Sequence, residues 1–253
     1  MQDDRPVLRK WIQIVDHMVN LIAALFFLLL LAYGIYGVWD SSQINKQAEA
    51  SNYETYKPTD ELSFAELKKL NPEVFGWLTV EGTHIDYPLV QGKDNSKYVN
   101  TDVKGEFSLS GSLFLDYQNQ KDFSDRNNII YGHHMEKNLM FGELENFREK
   151  SYFDSHRYGM LYYGNAWHEV EFFAFLHTDA HDPVIYNTAL TEEEQRAYLD
   201  YVKGNAQQYR AHPFEKEERY LVLSTCTSSS TNGRYVLIGC IKEEIENMMT
   251  KEH

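Results

Sequence analysis

Two residues near the C-terminus have the types and the spacing to do chemistry together, Cys226 and Arg234. They sit within YLVLSTCTSSSTNGRYVLIGCI, which runs from Tyr220 to Ile241. Tyr, Leu, Val and Ile fill both flanks and Ser, Thr, Asn and Gly fill the middle, the pattern of two strands joined by a polar loop over 227–233. A hairpin lays the end of one strand beside the start of the next, so Cys226 and Arg234 are expected at one rim of a sheet. A guanidinium beside a thiol favours the thiolate, which is the nucleophilic form. A thiol nucleophile also needs a proton acceptor and a group that holds a developing oxyanion, and the Arg234 fork can serve as the second. The chain has ten histidines to offer as the first. His133 and His134 stand out, because they follow a short apolar run ending at Gly132, where side chains face the mouth of a sheet. Neighbours on a strand point to opposite sides, so at most one of the two faces Cys226. By itself this spacing also fits a packed cysteine and a solvated arginine.

The other cysteine, Cys240, lies about six residues down the second strand, roughly 20 Å from Cys226 at the usual rise. Bridged Cα atoms must come within about 7 Å. Both thiols are therefore expected free, with Cys240 a small buried hydrophobe. No CxxC or HExxH spacing is present, and no metal or cofactor is expected.

These residues need a sheet to position them. Strand-like runs cover 75–80, 85–90, 113–116, 128–132, 158–163 and 168–177, with turn residues such as Glu81-Gly82, Gln91-Gly92 and Gly111 between them. A capping box at Ser63 to Glu66 predicts a short helix closed by Asn71-Pro72. A second, at Thr191 to Glu194, predicts a helix that buries Ala197, Tyr198, Tyr201 and Val202 and stops at Gly204. Leu139, Phe141, Leu144 and Phe147 partly fit a further helical face. The charged tail from Lys242 is expected to fray. The fold class is mainly β with inserted helices, a closed or nearly closed barrel.

Residues Met18 to Trp39 carry no charge and, as a helix, span about 33 Å, enough to cross a bilayer. Arg5, Arg9 and Lys10 precede the span and Asp40 follows it, so the positive-inside rule places the N-terminus in the cytoplasm. The expected layout is a cytoplasmic segment 1–17, a single-pass transmembrane anchor 18–39, a polar extracellular linker 40–60 and a catalytic domain 61–253. The formal net charge of −14 argues against nucleic acid as a partner.

The stretch LSTC, its polar loop and Arg234 resemble the signature of sortases, the cysteine transpeptidases of Gram-positive cell surfaces. Asn71-Pro-Glu-Val-Phe-Gly-Trp77, Gly82-Thr-His-Ile-Asp-Tyr-Pro88, Gly111-Ser-Leu-Phe-Leu-Asp-Tyr117 and Tyr131-Gly-His-His-Met135 each resemble class B segments. The resemblance runs from about residue 61 to residue 241. It implies an eight-stranded sortase-type β-barrel with Cys226 as nucleophile, His133 rather than His134 as the histidine, and Arg234 as the family arginine. It also implies substrate contacts at Asn95, Val99, Ile185, Tyr186, Ser224 and Thr225. The implied partners are secreted proteins with an LPXTG- or NPQTN-like C-terminal sorting signal and an amine of a lipid II-type peptidoglycan precursor. Other readings stay open: a peptidase that releases the acyl-enzyme to water, a pilin-polymerising enzyme that uses a Lys nucleophile, or a non-catalytic surface binding module.

Overall fold

The structure is a computed structural model and describes residues 5–59, 61–212, 217–227 and 231–244. Residues 228–230 of the expected hairpin loop and 245–253 of the expected frayed tail lie outside the described residues. The chain divides into two units, 1–46 and 47–253. The first is dominated by helix α1 (Arg5–Gln47), whose apolar residues, among them Phe26, Phe27 and Leu29, are exposed all round. It is long and apolar enough to cross a membrane.

The second unit is built on strands β1 (Val74–Val80), β2 (Asp86–Val90), β3 (Leu113–Leu115), β4 (Asn127–Tyr131), β5 (Tyr158–Tyr163), β6 (Ala166–Asp179), β7 (Gln208–Tyr209), β8 (Arg219–Cys226) and β9 (Gly233–Glu244). The order β5-β1-β2-β3-β4-β8-β9-β6 closes on itself through the β5–β6 pairing, which makes an eight-stranded barrel. Closure leaves few open edges. β6 is long enough to pair with β5 along its first half and with the two-residue β7 further on. The β2–β3 and β4–β8 pairs are parallel and the rest antiparallel. Among the described residues, three α-helices, α2 (Glu61–Leu70), α3 (Lys150–Ser155) and α4 (Gln195–Asn205), and three 3-10 turns accompany the strands.

The apolar run of β8 serves two cores at once. Leu221 and Leu223 pack into the larger core, while Tyr220 and Val222 face α4 in a second one. Leu237 and Val236 of β9 divide in the same way. A strand buried on both faces reads as continuous hydrophobicity, which is how this hairpin appears in the sequence.

Three local expectations are corrected. Ser63 does not cap a helix: it lies inside α2, and its hydroxyl donates to the Lys57 carbonyl at 2.8 Å. In α4 the buried residues are Gln195, Tyr198, Leu199 and Val202, with Ala197 exposed, so the inward face is rotated from the one expected. Residues 47–58, expected to be part of a polar tether, fold onto the barrel. Ala48 and Tyr53 are buried, and the Tyr87 hydroxyl donates to the Ala48 carbonyl at 2.9 Å. Two anchors in twelve residues form no stripe, so only their tertiary partners reveal them.

Candidate active site

Cys226 closes β8 and is exposed, while residues 220–225 before it are all buried. Its Cα partner across the hairpin is Arg234, and the Thr227 N–H donates to the Gly233 carbonyl at 3.1 Å just beyond the pair. Arg234 Nη1 donates to the Gly233 carbonyl at 2.8 Å and to the Thr231 carbonyl at 3.3 Å. The guanidinium is thus pinned against its own turn beside the thiol. Cys226 and Cys240 are both free of disulfides, as the strand spacing requires.

The Gly132 N–H donates to the Ser224 carbonyl at 3.1 Å, extending the β4–β8 pairing by one residue and delivering His133 just past the strand end. A Cβ on Gly132 would meet Leu113 Cδ2 at 2.4 Å and Phe141 Cδ2 at 2.7 Å, so any side chain there would force these two to shift. His133 Nε2 lies 2.7 Å from the Val99 carbonyl. A carbonyl only accepts, so Nε2 carries a proton and Nδ1 is the nitrogen left to exchange one. Gly111, at φ +59°, lets the chain pass close to this segment: a Cβ there would lie 2.6 Å from the Val99 oxygen. His134 faces elsewhere, with Nε2 3.6 Å from Glu145 Oε2.

Cys226, His133 and Arg234 border one cleft of about 300 Å³. Asn95, Val99, Ser224 and Thr225 line it as well, so most residues singled out in the sequence converge. Ile185 does not. It is fully buried in the second core, its N–H bonded to Asp182 Oδ1 and its carbonyl to Asn127 Nδ2, and it has no surface to offer a substrate. Tyr186 stands behind the wall instead of on it. Its ring stacks on Tyr131 with centroids 6.2 Å apart, and its hydroxyl shares a 2.8 Å hydrogen bond with Ser224 Oγ. Burial pushes the Tyr186 hydroxyl up to about 12, against the Ser224 hydrogen bond and the Arg234 charge, so it remains protonated at neutral pH.

Tyr131, Phe114 and Asp116 were not anticipated as site residues. Tyr131 and Phe114 line the cleft, their ring centroids 5.4 Å apart. Asp116 is buried and accepts from the Tyr131 hydroxyl at 3.0 Å and from Asn95 Nδ2 at 2.8 Å, tying two walls together. Aromatic residues on buried strands look like ordinary core, and only the Leu-Asp-Tyr run at 115–117 hinted at more. The Thr225 hydroxyl is buried without a hydrogen-bond partner among the described residues.

A closed β-barrel with a solvent-facing thiol, an arginine across the hairpin and a histidine at the next strand end defines a class of cysteine enzyme. Comparison with known proteins names it. A sortase-domain profile matches residues 78–241. Sortase B of Listeria monocytogenes is 35% identical over 176 residues, covering 69% of this chain and 72% of that protein. A Streptococcus pyogenes class B sortase involved in pilus biogenesis is similar in structure, with a TM-score of 0.66 at 42% identity, covering 72% of this chain and 98% of that one. Sortase B from the type II pilus of Streptococcus pneumoniae gives a TM-score of 0.62 at 41% identity, covering 71% and 98%. The chain belongs to the sortase family of cysteine transpeptidases, in its class B branch.

Proposed function

We propose that this protein cleaves a C-terminal sorting signal of LPXTG or NPQTN type in secreted proteins and transfers them to an amine of a peptidoglycan precursor. The observation that carries this reading is the meeting of Cys226, His133 and Arg234 in one open cleft. The Cys226 thiolate attacks the carbonyl carbon of the signal's Thr, and the Arg234 guanidinium stabilises the oxyanion. The C–N bond breaks, and His133 as imidazolium gives its Nδ1 proton to the departing amine. The acyl group is now a thioester. An acceptor amine attacks it and loses a proton to His133, the C–S bond breaks and the thiolate is restored. Asn95, Val99, Ser224 and Thr225 form the walls that hold the signal, with Tyr186 bracing Ser224.

Residues 18–39 anchor the enzyme, with 1–17 in the cytoplasm and the barrel outside; the cationic flank at Arg5, Arg9 and Lys10 supports this. Anchoring confines the enzyme to the surface where exported substrate and lipid-linked amine both arrive.

A pilin lysine as the acceptor is favoured by one specific observation. The two pilus-associated class B enzymes share 42% and 41% identity with this chain, against 35% for sortase B of Listeria monocytogenes and 32% for that of Clostridium perfringens.

The test uses the full chain in detergent with quenched peptides carrying each signal, plus a glycine peptide, a diaminopimelate peptide or a lysine-bearing pilin segment as acceptor. Mass spectrometry is expected to show cleavage and an amine-linked product, both lost in Cys226→Ala. The acceptor that is joined decides between wall and pilus. Cleavage without any transfer supports a peptidase, and a chain that is inert towards every peptide and unlabelled at Cys226 overturns the enzyme reading.

A further inference from the structure

Far from the cleft, three side chains that the transpeptidation does not use converge behind the second core. We propose that His212, Glu218 and Cys240 form a buried binding site for a zinc-like divalent transition metal ion.

The three donors come from separate parts of the fold. His212 follows β7, Glu218 immediately precedes β8 and Cys240 lies in β9, where its Cα partner is Tyr220. The His212 and Glu218 side chains are 5% and 6% exposed, and Cys240 is 2% exposed. His212 Nε2 lies 3.0 Å from Glu218 Oε2, Cys240 Sγ lies 3.5 Å from Glu218 Oε1, and all three donor groups fall within 4.8 Å of one another. A tetrahedral zinc ion, bonded at about 2.0–2.1 Å to N and O and about 2.3 Å to S, sets its ligands roughly 3.3–3.6 Å apart. The two contacts to Glu218 are already near that spacing, and to enclose an ion the three donors, now within 4.8 Å of one another, draw in by up to about 1.5 Å.

The donor set selects the class of metal. Imidazole, carboxylate and thiolate together suit zinc and its neighbours, whereas magnesium and calcium take oxygen ligands. The surroundings orient the donors as a second layer would. The His212 ring stacks on Phe173 with centroids 4.3 Å apart and planes 10° from parallel. The Tyr220 hydroxyl donates to Glu218 Oε2 at 3.1 Å, and Gln195 Nε2 donates to the Glu218 carbonyl at 2.8 Å. Apolar side chains would fill such a space at less desolvation cost than three ionisable groups. On binding, the Cys240 thiol proton leaves to solvent, His212 coordinates through Nε2 as a neutral imidazole with its proton on Nδ1, and three metal–ligand bonds replace the hydrogen bonds to Glu218. The ion fastens the segment after β7 to both strands of the hairpin that carries Cys226 and Arg234. Glu218 stands eight residues before Cys226, about 26 Å along an extended chain, so this is no part of the cleft.

The test uses the full chain without a polyhistidine tag, carrying Cys226→Ala so that Cys240 is the only thiol. After treatment with chelator and dialysis it is titrated with Co²⁺. The expected result is saturation at one Co²⁺ per chain, with a thiolate-to-cobalt charge-transfer band and tetrahedral visible bands, all displaced by Zn²⁺. A further His212→Gln or Cys240→Ser change removes the charge-transfer band. If the Cys240→Ser chain fails to fold, His212→Gln decides. No charge-transfer band in the folded Cys226→Ala chain overturns the proposal, as does an undiminished band in folded His212→Gln.

Discussion

Cys226 is the one residue from 220 to 226 that reaches solvent, and its neighbour across the hairpin is an arginine already bonded to two carbonyls of its own turn. That double duty makes Arg234 hard to replace. A lysine carries the charge but not the planar fork, so it cannot brace the turn and face an oxyanion at the same time. Arg234→Lys is expected to lower kcat by roughly 10²-fold or more, the usual loss for an oxyanion donor. Turnover close to wild type in a peptide cleavage assay would remove Arg234 from the mechanism. At this scale the sequence was informative about residue types and ambiguous about direction. His133 and His134 are indistinguishable by spacing, and the hydrogen bonds to Val99 and Glu145 separate them.

At the scale of elements, the segment between β6 and α4 shows how a wall is held from behind. Asp182 is buried and accepts from the Val184 N–H at 2.9 Å, the Ile185 N–H at 3.1 Å and the Tyr201 hydroxyl at 2.8 Å, as well as from Thr178 Oγ1. Burial pushes its carboxyl up, but the hydrogen bonds from Thr178, Ile185, Tyr201 and Val184 outweigh it and hold the group below its ordinary value. The sign follows directly. The unfolded chain binds this proton more readily than the folded one, so the stabilisation is fully present above the unfolded value of about 3.9 and is lost as pH falls through the folded value. Asp182→Asn is expected to cost about 1–3 kcal/mol at neutral pH, with the gap to wild type closing in strong acid. Urea unfolding at several pH values measures this. A gap that does not change with pH would mean that the charge of Asp182 is irrelevant. The sequence marked Ile185 and Tyr186 together, and the structure parts them, because a residue anchored by Asp182 turns inward while the next reaches Tyr131 and Ser224.

For the whole molecule, the parallel β4–β8 pairing of Tyr131 with Ser224 is what brings the strand ends leading to His133 and Cys226 to one rim of the barrel. The proposed topology is testable through the contrast between an exposed and a buried thiol. A membrane-impermeant maleimide applied to intact cells is expected to label the wild-type chain and not Cys226→Ala. Labelling that appears only after lysis would reverse the orientation.

The sequence by itself determined the apolar N-terminal span, the hairpin with Cys226 opposite Arg234, and the family, because each is written in contiguous residues or in several ordered local motifs. Tertiary structure alone decided that residues 47–58 belong to the barrel and that His212, Glu218 and Cys240 come together. Those facts depend on long-range pairing, and no local period or motif records which distant strand a side chain will meet.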